Sequence, residues 1–384
     1  MSHTMKLCPK LRNAYVCVIS IIVILVSVAE CSGVQYQAIS CRKHSAVLTD
    51  FGAVGDGKTS NTKVFNNAIK NLSKYANDGG AILIVPPGKW LTGSFNLTSH
   101  FTLFLQKGAV ILASQHESEW PSLPVLPSYG RGRDAPGGRF SSLIFGTNLT
   151  DVVITDSCTN TKIEDCYIVS GDDCIAVKSG WDQYGIKVGI PTQYLIIRRL
   201  TCISPDSAMI ALGSEMSGGI KHIRAEDNIA INTQSAIRIK TAVGRGGYVK
   251  DIFVKGMTLK TIKYVFWMTG AYGSHADSGF NPKALPKITR INYRDITADN
   301  VTYSARLDGI TNDPFTGICL SNVHIKVSEE NKKLQWNCTN IAGVTSNVTP
   351  QPCSLLPQKE GQDCPYPEDK LPIDNVQLKT CSFK

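Results

Sequence analysis

The sequence predicts an all-β solenoid, a right-handed parallel β-helix with an N-terminal capping helix and an irregular C-terminal tail. Two observations carry this expectation. First, almost everything after residue 72 reads as short apolar strands broken by Gly, Asn, Asp and Pro, with no long helical pattern alternating with them as a doubly wound sheet would require. Second, five segments align as a repeat: Cys174–Lys178, Met209–Gly213, Ala236–Lys240, Val265–Thr269 and Ser304–Asp308, at offsets of 35, 27, 29 and 39 residues. The second column is Ile175, Ile210, Ile237, Phe266 and Ala305, and the fourth is Val177, Leu212, Ile239, Met268 and Leu307. Both are wholly apolar. The third column (Ala176, Ala211, Arg238, Trp267, Arg306) and the fifth (Lys178, Gly213, Lys240, Thr269, Asp308) are mixed. Strand side chains alternate faces, so one face is a core and the other meets solvent or ligand. Repeats of this length without long helices suit stacked coils about 4.8 Å apart. A propeller is the alternative, but its blades need antiparallel hairpins.

The elements follow in chain order. Lys6, Lys10 and Arg12 precede an apolar run from Ala14 to Ala29 that ends in the small residues Ser27-Val28-Ala29. This pattern reads as a signal peptide over 1–29, although the same run also suits an uncleaved anchor. Residues 30–384 are expected to form one β-helix domain, with the tail starting at about 328. Val64, Phe65, Ala68, Ile69 and Leu72 share one face of a helix over Thr62–Leu72, placed to cover the first coil as solenoid ends require. Ala81–Val85, Phe101–Leu105 and Val110–Ala113 are the first strands. Six prolines from Pro350 to Pro372 mark the tail.

Composition sets the compartment. At 384 residues, 42% hydrophobic and 18% charged, the chain is neither disordered nor a coiled coil. The net charge of +9 falls to +6 once Lys6, Lys10 and Arg12 are set aside, which suits a polyanionic partner. Six Asn-x-Ser/Thr sequons (Asn71, Asn96, Asn148, Asn300, Asn337, Asn347) behind a signal support the secretory route. So do 13 cysteines, 11 of them after Ala29. Cys338 with Cys353, and Cys364 with Cys381, are the local pairings expected. Cys158, Cys166 and Cys174 recur every eight residues without a histidine, a spacing that fits stacked core positions better than zinc.

The chemistry concentrates in Ser170-Gly-Asp-Asp-Cys174. Asp172 shares the parity of Ala176 and so faces outward. Asp173 would point inward on an unbroken strand, where an ionised carboxylate is costly; a bend beside Gly171 brings both out. Two close acids can take different pKa values and supply a donor and a base. Arg238 and Lys240 share the outward face two rungs along, about 10 Å away, and could hold the carboxylate of an acidic sugar. Hydrogen-bonded turn acids and a solvated charged strand are the bland readings of the same residues. Tyr129-Gly-Arg-Gly-Arg-Asp-Ala-Pro-Gly-Gly-Arg139 reads as a basic loop, and Gly244-Arg-Gly-Gly247 lacks the setting of a nucleotide fingerprint. Basic residues are scattered, without the pattern of a nucleic-acid surface. No P-loop, His-Glu-x-x-His or Gly-x-Ser-x-Gly occurs.

These motifs resemble glycoside hydrolase family 28, the plant polygalacturonase-like proteins of the pectin lyase-like superfamily. Phe51-Gly-Ala-Val-Gly-Asp-Gly57 is similar to the superfamily's N-terminal signature. Ser170-Gly-Asp-Asp-Cys174 and Arg238-Ile-Lys240 match the active-site motifs, and Gly213-Ser-Glu-Met-Ser-Gly-Gly219 and Asp313-Pro-Phe-Thr-Gly317 look like the plant branch. The resemblance implies a secreted, cell-wall enzyme, monomeric and without metal or other cofactor, that hydrolyses galacturonan with inversion. It implies Asp172 as general acid, Asp173 as a helper in activating water, and Arg238 and Lys240 as ligands of the substrate's carboxylates. Two departures stand out. Gly213-Ser-Glu215 replaces the family's Gly-His-Gly. In addition, Ile154-Thr-Asp156 directly joins parts that relatives separate by several tens of residues, about two or three coils. That internal deletion removes the family's Asn-Thr-Asp motif and its third carboxylate. Asp151 stands 21 residues before Asp172, as the lost aspartate would, and is either a substitute or simply a turn residue. A catalytically silent polyuronate-binding protein, and a calcium-dependent lyase on the same fold, are the rival functions.

Overall fold

The computed structural model describes residues 42–106, 108–130, 139–146, 159–328 and 335–375. The leader expected over 1–29, Asp151, the Ile154–Asp156 junction, Cys158, Cys381 and most of the Tyr129–Arg139 loop lie outside them.

At the N-terminal end lie two three-stranded parallel sheets. One orders His44–Val47, Ala81–Val85 and Phe101–Leu105; the other orders Asp56–Ser60, Gly88–Thr92 and Ala109–Ala113. The helix Thr62–Ser73 caps them, burying Phe65, Ala68, Ile69 and Leu72 against Leu48, Leu83, Val85 and Trp90. Phe65 stacks on Phe95 with centroids 4.6 Å apart. Asn61 pins the glycine-rich signature beneath the helix. Its Nδ2 donates to the carbonyls of Val54, Thr59 and Leu91, and its Oδ1 accepts from Val54 N–H.

The largest sheet among the described residues has 13 strands between Thr159 and Thr349, and every strand pairing in it is parallel. The chain is a right-handed parallel β-helix, as the repeat predicts. The register is the one read from the columns: Ala176, Ala211, Arg238, Trp267 and Arg306 are successive partners, as are Ile175, Ile210, Ile237, Phe266 and Ala305. The repeat fades from the sequence near Ser328, but the coils continue. Trp336 pairs with Ala305, and Ile341–Thr349 pairs with Phe315–Val327. The inward column alternates in size at this end. Ala305 is small enough for Trp336 to reach over it and bring its ring within 6.1 Å of Phe266. All three are at most 4% exposed, and burying a side chain the size of Phe266 contributes about 1.5–3 kcal/mol.

Each coil turns at columns of left-handed residues. One column is Tyr194, His222, Asp251, Arg290 and Gly317; a second is Asp165, Arg199, Asp227, Gly256, Asp295, Asn322 and Asn347; a third is Asn232, Thr261 and Asn300. Asp and Asn dominate because their short polar side chains tolerate this conformation best after Gly. Neighbours within a column hold one another. Asp165 binds Arg199, Asp251 binds Arg290, Asn347 donates to Asn322, and Tyr194 stacks on His222. The stretches from Tyr194 to Gly213, His222 to Lys240, Asp251 to Thr269 and Arg290 to Asp308 are nearly equal in length. The unequal repeat offsets therefore come almost entirely from the segments that follow each outward-facing strand.

Among the described residues, three disulfides join Cys174 to Cys202, Cys319 to Cys364 and Cys338 to Cys353. The last is the expected local pair. Cys364 is not joined to Cys381, because Ser321 Oγ holds the Cys364 N–H at the last coils, beside Cys319. Cys174 is also not a packed core thiol but is bridged to the next coil. Cys166 is free and half-buried, and burial pushes its thiol up, which keeps it unreactive. The three bridges are those of a protein that matures in an oxidising compartment.

Gly256, at φ 67°, is the glycine of the second column, where an added Cβ would fall 2.4 Å from Asp227 Oδ1. Gly256→Ala is expected to lower stability by about 1–2 kcal/mol, read as a lower midpoint in urea unfolding. An unchanged midpoint would show that the column does not demand glycine there.

Candidate active site

The short strand Ile175–Val177 is preceded by an irregular bend over Ser170–Cys174. Neighbouring coils fasten this bend from three directions. Cys174 is bridged to Cys202, Ser204 Oγ donates to Asp172 O at 2.7 Å, and Ser207 Oγ lies 3.1 Å from Asp172 Oδ1 and 2.6 Å from Asp173 Oδ1. The bend frees both acids from strand alternation but leaves them unlike. Asp172 is exposed. The Asp173 side chain is only 6% exposed and is paired with Lys240, whose Nζ lies 2.7 Å from Oδ2. Ala208 N–H adds a third contact at 3.1 Å. Burial pushes the Asp173 carboxyl up. The Lys240 ammonium, together with the Ser207 and Ala208 donors, outweighs burial and holds it below the ordinary carboxylate range.

Arg238 lies on the same face, its guanidinium 3.8 Å from the Trp267 ring centroid and 6.0 Å from Tyr272. Its Nη1 donates to Gln234 at 3.2 Å. Lys240 Nζ is 5.5 Å from the Tyr272 ring. Asp172, Asp173, Arg238 and Lys240 are therefore gathered on one outer face. The two-rung gap to Lys240 is closed by its own side chain, which reaches back to Asp173. Lys240 is thus engaged with an acid of the chain itself. Arg238 instead lies against the Trp267 ring.

At the Gly213-Ser-Glu215 position, Glu215 is buried and ion-paired with Lys178. Beside it, Arg245 and Asp182 form an ion pair at 2.6 Å with both side chains wholly buried. Arg245 Nε also donates to Ser214 O at 2.9 Å, and His275 Nδ1 lies 3.0 Å from Asp182 Oδ2. The Gly244-Arg-Gly-Gly247 segment, which carries no nucleotide fingerprint, thus supplies a structural arginine. This cluster ties the segments after four successive outward strands into one wall. Sequence reading missed Ser207, Tyr272 and this wall. Trp267 and Arg306 had a signal, because they fall in the Arg238 column.

With this geometry in place, the chain matches glycosyl hydrolases family 28 over residues 139–350. It is 52% identical to a "Probable polygalacturonase" of Vitis vinifera over 96% of its own length and 94% of the relative. The chain belongs to glycosyl hydrolase family 28. Residues 46–104 match the pectate lyase-like segment described as "Rhamnogalacturonase A/epimerase". A "Probable rhamnogalacturonase C" of Aspergillus flavus is 24% identical, covering 77% of this chain and 74% of that one. Among solved structures, the exopolygalacturonase of Thermotoga maritima superposes with a TM-score of 0.60 at 21% identity, covering 82% of this chain and 93% of that one, a likeness of fold. The Vitis alignment runs over 461 positions against a family 28 chain of 384 residues. At least 77 positions of the relative therefore have no counterpart here, and because the alignment takes in nearly the whole chain, they are internal. That shortfall agrees in size with the loss read at Ile154–Asp156.

Lys240→Met would leave Asp173 as an unpaired buried carboxylate and is expected to cost about 3–5 kcal/mol at neutral pH. Asp173's folded pKa is depressed, so its contribution is present above the unfolded value near 3.9 and is lost as pH falls through the folded value. The deficit of Lys240→Met should accordingly narrow below pH of about 4. Chemical denaturation across pH 2–7 checks both, and a constant deficit would show that the pair does not carry the effect.

Proposed function

We propose that the protein hydrolyses galacturonan, the acidic backbone of pectin, in the plant cell wall after secretion. The observation that carries this reading is the division of the two acids. Asp172 is exposed at the groove, whereas Asp173 is buried and kept ionised by Lys240. In this reading, Asp172 protonates the departing glycosidic oxygen. Asp173 stays charged, supports the positive charge that develops on the sugar and helps to orient water. Arg238 pairs with a substrate carboxylate in a charge-assisted contact. Lys240 acts on Asp173 first and reaches substrate only by sharing that acid.

One observation favours a second reading, a silent polyuronate-binding protein. Both acids lie against the single Ser207 hydroxyl, closer together than the roughly 6.5–9.5 Å that an inverting pair needs to admit water. The carboxylate that completes that spacing in the family lies in the lost stretch, and Asp151 is the candidate to replace it.

The test is release of reducing ends from polygalacturonic acid by the full chain. Removing a general acid costs about 10²–10⁴-fold, so Asp172→Asn should fall at least a hundredfold. Equal rates in the two proteins would overturn the assignment. Salt-sensitive binding of polygalacturonate with no turnover in either protein would select the silent reading.

A further inference from the structure

Ser207 stands where the two acids converge, and its side chain carries a single hydrogen. Its Oγ lies 2.6 Å from Asp173 Oδ1 and 3.1 Å from Asp172 Oδ1. A hydroxyl has one O–H donor, so it serves one of these carboxyl groups at a time. Ser207 is buried, and its backbone is held on both sides. Ser207 N–H donates to Ser204 O and Ser235 N–H donates to Ser207 O, both at 3.2 Å, while Cys174 N–H donates to Ala208 O at 2.8 Å. The oxygen is therefore fixed between the acids, and its hydrogen can turn about the Cβ–Oγ bond.

The two acids need that hydrogen unequally. Asp173 has two further donors, Lys240 Nζ at 2.7 Å and Ala208 N–H at 3.1 Å. Asp172 has one among the described residues, the Asp173 N–H at 2.7 Å. A general acid enters its reaction neutral and leaves it as an anion. While Asp172 is neutral, the hydrogen belongs with the charged Asp173, which is also the nearer acceptor. When the Asp172 O–H bond breaks, its proton bonds to the glycosidic oxygen. The bond from that oxygen to the sugar carbon then breaks, and its electron pair stays on the departing oxygen. Water supplies the replacing oxygen, and the proton that this water loses restores Asp172 through solvent. The Ser207 O–H bond stays intact throughout. A contact that strengthens only as the acid discharges lowers the barrier without tightening the resting complex.

We propose that Ser207 is a positioning residue that turns its hydrogen from Asp173 to Asp172 as the general acid gives up its proton, and so stabilises the carboxylate left at the departing bond. This inference rests on the hydrolytic reading and deepens it. Lys240 and the Ala208 N–H keep Asp173 satisfied while the hydrogen is turned away.

The experiment measures kcat and KM for release of reducing ends from polygalacturonic acid by the full chain. Ser207→Ala should lower kcat about ten- to a hundredfold, the scale of one hydrogen bond to a charged group, and change KM less than about twofold. Ser207→Thr keeps the hydroxyl and should recover kcat to within about threefold of the parent. Ser207→Cys offers only a weak donor and should behave like Ser207→Ala. In a chain already carrying Asp172→Asn, which has no such proton to give, Ser207→Ala should cost less than about twofold more. The role is overturned if Ser207→Ala leaves kcat unchanged, if the loss lies in KM, if Ser207→Thr loses as much as Ser207→Ala, if Ser207→Cys matches the parent, or if the Asp172→Asn chain loses as much again. It is also overturned if Ser204→Ala, which loosens the same bend without touching a carboxyl group, lowers kcat equally, since both serines would then only hold the bend in shape. A parent chain that releases no reducing ends sinks the hydrolytic reading and this role together. An active parent that loses activity in Asp172→Asn but not in Ser207→Ala removes this role alone.

Discussion

Parallel register between neighbouring rungs is the constraint from which the rest of this structure follows. Because each strand pairs in parallel with the next, a residue's place along its own coil fixes its place in a column. Asp173 and Lys240, far apart in the chain, meet for this reason and for no local one. The left-handed bend columns enforce the register. A slip of one residue would put Asp251 or Asn322 on an extended strand and a bulky neighbour at the bend, and would turn the inward column out to water.

On this scaffold the acids acquire different environments from nearly identical sequence surroundings. Strand alternation alone would send one of two adjacent aspartates into the core. The bend at Ser170–Cys174, bolted to the next coil by the Cys174–Cys202 bridge, exposes Asp172 and turns Asp173 toward Lys240. The same ammonium therefore settles the charge of the buried acid and limits how freely it can serve a ligand. The wall of Asp182, Arg245 and His275 stands beside the strand that carries the acids, and there Ser214 and Glu215 are held by Arg245 and Lys178.

Much of this was legible in the sequence. The columns containing Ile175 and Arg238 gave the register without error, because the inward positions are wholly apolar over five coils while the outward ones are mixed. The capping helix was legible because Phe65, Ala68, Ile69 and Leu72 follow helical spacing. Ser207 was not, since a serine before a strand has no periodic signature and matters only through the coil beneath it. The Asp182–Arg245 pair was hidden for a similar reason: its partners sit in irregular segments, and a buried arginine among glycines resembles a surface loop. The bridge from Cys319 to Cys364 crosses a masking run of prolines and polar residues. The last coils faded because Ala305 and Trp336 differ in size while sharing one layer.

The three bend columns divide every turn of the solenoid into a conserved arc and a free one. From bend to outward strand the count of residues scarcely varies, whereas the arcs holding 179–193, 241–250 and 270–289 differ widely in length. Those free arcs follow the outward-facing strands that carry Arg238 and Lys240 and their neighbours. A solenoid of this kind can lengthen or shorten the banks of its channel one loop at a time, leaving the bed untouched, so the shape offered to a polymer can drift while the stacked frame beneath it stays fixed.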